Sequence, residues 1–312
     1  MRVAFFGTPA LSARYLSALA QHHQVTGVVT QPDRPSGRHR TPVPSPVKEQ
    51  ALGIGAQVLQ PEAGKCSGAC AVLEQGNPET CVVVAFGQKL PCGPRNCTVG
   101  RCINVHYSLL PKLRGAAPVQ HALLQGLKRT GVTIQHIAPG WDEGDVILQR
   151  ELDILPEDTC GTLTDRLTDL GIETLLEALA LIADGTAPRV PQDHAQATFA
   201  PSVKKGDGLI DWNLPAEALE RAVRAYNPWP TAHTTLAGKG LRVLRAHLDA
   251  DTIVESGEGE VGTFVEVSTE AAAVTCGHGR LWLDEVQLEG KKRMTAPEFL
   301  RGARLTVGAR LG

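Results

Sequence analysis

Residues 104 to 106 read Asn-Val-His inside the strand-like run CINVHYS (102 to 108). Side chains alternate faces along a strand, so Asn104 and His106 point one way while Val105 and Tyr107 point the other. An amide therefore stands beside an imidazole, a side chain that exchanges protons near neutral pH. After a later strand-like run, GVTIQHI (131 to 137), the chain turns through APGWDEGDVILQ, where Asp142 or a neighbour can reach a histidine at the same sheet edge. A carboxylate there would hold the imidazole in one tautomer and stabilise its protonated form. Taken alone, Asn104 and His106 also fit a buried hydrogen-bond network. Glu143 and Asp145 fit solvated loop charges, or a cation loop whose ligand count falls short of an EF-hand.

Groups so far apart in sequence need a rigid frame. VAFF (3 to 6) is a short apolar run ending at Gly7-Thr8-Pro9; Thr8 suits a helix cap and Pro9 the first helical position, with Leu11, Leu16 and Leu19 on one side afterwards. Strand-like runs recur at VTGVVTQ (25 to 31), CVVVAFG (81 to 87), CINVHYS and GVTIQHI, with helix-length stretches such as APVQHALLQG between several of them. Continuous β-branched runs interleaved with helices imply a mostly parallel, Rossmann-like sheet covered on both faces, and in such sheets ligands collect at the carboxyl ends of the strands. GTPAL lacks the later glycines of G-x-G-x-x-G, which argues against a dinucleotide site. Residues 161 to 185 carry leucines at helical spacing, with a possible break at Gly171, and close this unit.

The stretch TAPRVPQDHAQATFAPSVKKGDG has no sustained periodicity and reads as a linker. Beyond the helix AEALERAVRAYN come short strands with Gly-containing turns, GKG and GHG among them, which suggest a small antiparallel β-barrel of OB-like type. Thr295 and Glu298 form a capping-box signature for a last helix, and Trp229 in AYNPWP fits a core position. The expected organisation is a catalytic domain at 1–188, a linker at 189–207 and the OB-like domain at 208–312.

Length and composition fit this plan. A chain of 312 residues with 42% hydrophobic and 21% charged residues can bury two cores without staples. The eight cysteines, Cys66, Cys70, Cys81, Cys92, Cys97, Cys102, Cys160 and Cys276, contain no CxxC pair and read as reduced thiols, so no metal is expected. MRVAFFGTP has no leader-like pattern and no run of about 18 apolar residues occurs, which points to a cytoplasmic protein. A net charge of −2 excludes a generally basic nucleic-acid binder and leaves room for local basic patches.

QPDRPSGR, VVVAFGQKLP, INVHYSLLPKLRGAAPVQ, GVTIQHI, GWDEGD, IDW and NPWP, in this order, resemble the methionyl-tRNA formyltransferase family, and the similarity extends essentially end to end. N-x-H, SLLP and the aspartate are shared with other 10-formyltetrahydrofolate-dependent formyltransferases; the long basic loop after QPDRP and the C-terminal domain narrow the resemblance to the tRNA branch. It implies transfer of a formyl group from 10-formyltetrahydrofolate to the α-amino group of methionine on initiator Met-tRNA. Asn104 would donate to the developing oxyanion, His106 would take or relay the ammonium proton, and Asp142 would orient His106. The folate would lie against Ser108, Leu109, Leu110 and Pro111 and against Phe86, Gly87, Gln88 and Leu90 of the loop AFGQKLP. Tyr107 stands where the family generally has a small residue, and alternation sends it behind the site.

The same resemblance implies that Arg34, Arg38 and Arg40, on the proline-stiffened stretch DRPSGRHRTPVPSPVK, contact the acceptor stem, with Lys204, Lys205, Lys291 and Lys292 as further backbone contacts. Residues 201 to 312 hold 14 Lys/Arg against 15 Asp/Glu, a net of −1, so any contact there must come from one face. The chain is expected to act as a monomer. Rival readings are a formyltransferase of another amine, such as a purine precursor or an amino sugar, a folate hydrolase, or a non-catalytic RNA-binding protein on the same scaffold.

Overall fold

The computed structural model describes residues 1–36, 41–62, 73, 75–88, 102–248 and 259–312. Leu90, Arg38, Arg40 and the cysteines at 66, 70, 92 and 97 lie outside the described residues. The chain forms two compact units, each gathered from separate stretches: Met1–Gly115, Arg129–Asp153 and Asp165–Ala200 in the first, Ala116–Lys128, Ile154–Thr164 and Pro201–Gly312 in the second. Composition marks where a regular pattern lapses, but not that an excursion such as Ala116–Lys128 packs with a later part of the chain.

The first unit opens with β1 (Arg2–Gly7), α1 (Ala10–His22) and β2 (Gln24–Val29), followed by a separate hairpin of β3 (Arg34–Ser36) and β4 (Thr41–Val43). Then come α2 (Pro46–Gly53), β5 (Val58–Leu59), β6 (Thr80–Val84) and β7 (Cys102–His106). In the sheet, ordered β5-β2-β1-β6-β7-β8-β9, all strands from β5 to β7 are parallel; β8 (Arg129–His136) runs antiparallel to both β7 and β9 (Val146–Asp153). Val3, Ala4 and Phe5 of β1 and Val82 and Val84 of β6 are fully buried, as a sheet covered on both faces requires. The mixed α/β class read from the sequence is the class found.

Two local expectations change. Thr8 does not cap α1: Pro9 is the cap residue, with no side-chain hydrogen bond, and the Thr8 hydroxyl donates instead to the Phe86 carbonyl at 3.0 Å. The buried carbonyl of the loop after β6 takes that donor, and Pro9 has no N–H to offer. The helix of 161 to 185, α4 (Cys160–Ala183) once α3 (Pro118–Leu124) is counted, runs through Gly171 without interruption. A Cβ on Gly171 would lie 1.8 Å from the Tyr15 hydroxyl, so the glycine admits α1 rather than breaking the helix.

Tyr107 follows the alternation of β7. It is 8% exposed, and its hydroxyl lies 3.2 Å from that of Tyr15 and 2.8 Å from that of Thr168. Burial pushes the Tyr15 phenol well above its ordinary value and raises that of Tyr107 as well.

In the second unit, α5 (Ala216–Ala225) buries Leu219 and Val223 in a core shared with the strands. The antiparallel sheet contains β10 (His233–Leu236), β11 (Lys239–His247), β12 (Phe264–Val267), β13 (Ala272–Thr275) and β14 (Arg280–Leu288), in the order β10-β11-β14-β13-β12, with β15 (Met294–Thr295) beside β14. The Thr295–Glu298 capping box opens α6 (Ala296–Ala303) as read. Trp229, expected in the core, is 53% exposed; Trp212 and Trp282 are buried instead, and Trp212 Nε1 donates to the Thr234 hydroxyl at 3.2 Å. A buried indole N–H needs such an acceptor. Among the described residues, no helix is long and apolar enough to cross a membrane.

Gly171→Ala separates two effects of opposite sign. Helix propensity alone would stabilise the variant by about 1 kcal/mol. The clash with Tyr15 reverses this, and a net loss of about 1–3 kcal/mol is expected. Tyr107→Phe, which removes one hydroxyl, should cost about 1 kcal/mol. Urea-denaturation midpoints check both values, and a Gly171→Ala variant more stable than its parent refutes the packing account.

Candidate active site

The site forms where the parallel strands end. The Phe86 carbonyl, just beyond β6, accepts from the Thr8 hydroxyl after β1 and from Gln31 Nε2 after β2, at 3.0 and 2.8 Å. Three strand ends are thereby tied at one edge, next to the end of β7. This is the edge at which open α/β sheets gather their ligands.

β7 and β8 pair so that Asn104 lies opposite Gln135 and His106 opposite Thr133. Directly paired residues share a face, so these four polar side chains project together. On β9, Gln149 pairs with Thr133 and extends the stripe. Thr133 Oγ1 donates to the Ser108 carbonyl at 2.6 Å and accepts from Leu110 N at 3.2 Å; Gln149 Nε2 donates to the Leu110 carbonyl at 2.9 Å. The SLLP turn is fastened to the sheet by this stripe. GVTIQHI carries the signal for this stripe, since Thr133 and Gln135 alternate with Val132 and Ile134.

His106 is 6% exposed, and its Nε2 lies 2.9 Å from the Leu113 carbonyl. A carbonyl only accepts, so Nε2 carries the hydrogen and Nδ1 is the nitrogen left for proton exchange. Nδ1 faces Asp142 Oδ2 at 3.7 Å, a distance for charge attraction rather than a direct hydrogen bond. The tautomer is thus set by a backbone carbonyl, a partner that no side-chain motif announces, and not by Asp142 as expected.

Asp142 is held separately. Its Oδ2 accepts from Gly115 N at 2.9 Å and its Oδ1 from Gln135 Nε2 at 3.0 Å. Its backbone is left-handed, with φ of +52°. A Cβ on Gly144, two residues on, would meet the His136 carbonyl at 1.6 Å, so only glycine closes this turn against β8. Asn104, half-buried on the same face, has no hydrogen-bond partner for its amide among the described residues. The structure therefore brings together an amide free to donate, an imidazole with one exchangeable nitrogen and a fixed carboxylate. Such a set can stabilise negative charge growing on a carbonyl oxygen and accept a proton from an attacking amine.

The expected ligand-loop residues divide by exposure. Phe86 is 2% exposed, packed edge-on against Phe6 at 5.6 Å, and Leu110 is 5% exposed, so both side chains serve the core. Gly87 is exposed, and Gln88, Leu109 and Pro111 are partly so. The Ser108 hydroxyl donates to the Lys112 carbonyl at 2.6 Å, closing its own turn. Among the basic residues, Arg34 is exposed and donates to Gln31 Oε1, while Lys48 is paired with Asp33 at 2.7 Å. That pairing holds the Asp33 carboxyl below its ordinary value. Lys204, Lys205, Lys291 and Lys292 are exposed in the second unit.

Known proteins resemble the chain along its whole length. Residues 1–179 match the family model for formyl transferase, and residues 202–304 that for the formyl transferase C-terminal domain. The methionyl-tRNA formyltransferase of Lachnospira eligens is 42% identical over 100% of both chains. Among solved structures, a sugar 3N-formyl transferase determined with dTDP and 5-N-formyl-THF aligns at a TM-score of 0.68, with 14% identity, over 94% of this chain and 99% of that one. A methionyl-tRNA formyltransferase from Clostridium thermocellum aligns at 0.55, with 15% identity, over 80% and 94%. Structural likeness at such identities speaks for the fold; the full-length sequence identity decides the rest, and the chain belongs to the methionyl-tRNA formyltransferase family.

Proposed function

We propose that this chain is a methionyl-tRNA formyltransferase that moves a formyl group from 10-formyltetrahydrofolate to the α-amino group of methionine on initiator tRNA. The observation that carries the reading is the convergence of Asn104, His106 and Asp142 at one strand edge, in a chain related over its full length to enzymes of that name.

Each residue has a part in the transfer. The neutral amine attacks the formyl carbon, and Asn104 donates its N–H to the oxygen on which negative charge develops. His106 accepts the amine proton at Nδ1, the nitrogen that the Leu113 carbonyl leaves free. Asp142, 3.7 Å away, balances the resulting imidazolium. When the carbonyl reforms, the bond from the formyl carbon to N10 breaks and a proton is delivered to N10, so the products are formylmethionyl-tRNA and tetrahydrofolate.

The folate lies against Gly87, Gln88 and Leu90 and the SLLP turn, with Phe86, Ser108 and Leu110 shaping the wall from beneath and Leu109 and Pro111 lining it. Arg34, Arg38 and Arg40 contact the acceptor stem, and Lys204, Lys205, Lys291 and Lys292 contact the tRNA backbone. Support for these contacts is the exposure of Arg34 and the four lysines together with the basic character of the stretch around Arg38 and Arg40. On this reading the enzyme works as a cytoplasmic monomer.

Two measurements test the proposal. Supplied with 10-formyltetrahydrofolate, the chain should formylate charged initiator Met-tRNA and leave free methionine and elongator Met-tRNA unmodified; equal use of free methionine rules out tRNA dependence. Asn104→Ala should lower kcat by about 10²–10³, and His106→Ala by about 10²–10⁴. Asp142→Ala should lose at least about 10². Filter binding should show that all three retain their tRNA affinity, and a set of variants with parental turnover would remove the mechanism.

A further inference from the structure

The segment from 190 to 200, which has the composition of a linker, runs beside both turns that hold the site. Val190 exchanges backbone hydrogen bonds with Val146 at 2.8 and 3.0 Å. Further on, the Thr198 hydroxyl accepts from Leu113 N at 2.9 Å, the Thr198 carbonyl from Arg114 N at 2.8 Å, and Ala200 N donates to the Arg114 carbonyl at 2.7 Å. Leu113 supplies the carbonyl that holds His106, and Gly115 the N–H that holds Asp142.

Gln192 stands between these attachments, 7% exposed, and its two ends face different partners. Its Oε1 accepts from Nε and Nη2 of Arg114 at 3.1 and 2.6 Å. Its Nε2 donates to the carbonyls of Asp142 and Gly144, both at 2.8 Å, and lies 3.3 Å from Gln135 Oε1. Arg114 is 2% exposed, with Nη1 3.3 Å from His194 Nδ1 and 3.8 Å from Glu143 Oε1. A guanidinium only donates, so it compels the amide oxygen toward itself and turns the NH₂ group onto the 142–144 turn. That turn needs such a hold, because the left-handed backbone of Asp142 persists only where its surroundings fix it.

We infer that Gln192 is a positioning residue for formyl transfer: oriented by Arg114, it clamps the 142–144 turn so that the Asp142 carboxylate stays beside His106 Nδ1. The inference rests on the formyl-transfer reading and adds to it a residue that touches neither substrate. Only an amide meets the requirement, accepting from a buried cation at one end and donating to two carbonyls at the other.

Gln192→Glu is the discriminating variant, because its carboxylate still accepts from Arg114 and lacks the N–H groups that hold the turn. Formylation of initiator Met-tRNA by the parent enzyme is the control for the underlying reading. With that control positive, the variant should lose about 10- to 100-fold in kcat, the range of a small misplacement of a catalytic group. Its KM for each substrate should stay within about two-fold, since the lost contacts hold the turn rather than a ligand. In an Asp142→Ala background the same change should cost less than about two-fold, because two residues acting through one interaction are not additive. The ¹⁵N signals of the His106 ring should move in the direction seen for Asp142→Ala. Gln192→Met, uncharged and also without a donor, repeats the cycle if the glutamate variant does not fold. A parental kcat, a loss carried by KM, or the same fold loss with and without Asp142 would each overturn the assignment while leaving the formyl-transfer reading intact.

Discussion

In the register of β7 against β8, Asn104 lies opposite Gln135 and His106 opposite Thr133, and from that pairing the site follows. Gln135 reaches Asp142 from the face that carries Asn104 and His106, and Thr133 anchors the turn that follows His106. An antiparallel neighbour matters here. Because β8 is antiparallel, it ends beside the start of β7 rather than at the end where His106 stands, and the turn after it must return along the sheet to deliver Asp142. The acidic turn then folds back toward the histidine over a handful of residues, with His136 N donating to the Asp145 carbonyl at 2.9 Å.

Within that frame the imidazole and the carboxylate are fixed by different groups and meet across a gap. His106 is anchored through Nε2 to the Leu113 carbonyl, and Asp142 through both oxygens to Gly115 N and Gln135 Nε2. Each anchor satisfies a polar group that would otherwise be buried without a partner. Neither depends on the 3.7 Å contact between the two side chains. The contact can therefore respond to a proton on Nδ1 without rearranging the frame, which suits the proton-accepting role proposed for His106.

Much of this was legible in the chain itself. Most of the β-branched runs gave parallel strands, GVTIQHI alone becoming the antiparallel β8; alternation placed Asn104 and His106 on one face and Tyr107 on the other, and the capping box fixed the start of α6. What escaped were contacts made by backbone atoms or by residues without a local pattern. The Leu113 carbonyl has no sequence signature, and Gln192 sits among prolines and alanines that read as a linker. Thr8 looked like a helix cap because capping chemistry is local, yet a carbonyl 78 residues away took its hydroxyl. Gly171 looked like a helix break because the Tyr15 hydroxyl it accommodates lies on another helix. Trp229, expected in the core, stays exposed, whereas Trp212 is buried with Thr234 as the acceptor for its N–H, a partner that hydropathy does not register.

Tyr107 shows how the two faces of one strand divide their work. A bulky, polar side chain directly after His106 would crowd the face that carries Asn104 and His106 if it shared that face. Strand periodicity instead delivers it to the opposite side, where its hydroxyl donates to that of Tyr15 and accepts from that of Thr168. The arrangement also protects the register. A slip of one residue would carry His106 toward the helices and bring Tyr107 into the reacting face. It would strip the hydroxyl cluster of Tyr107 and leave the imidazole without the Leu113 carbonyl, so both faces would lose their hydrogen bonds at once. Tyr107 thus serves as a second lock on the strand that carries Asn104 and His106.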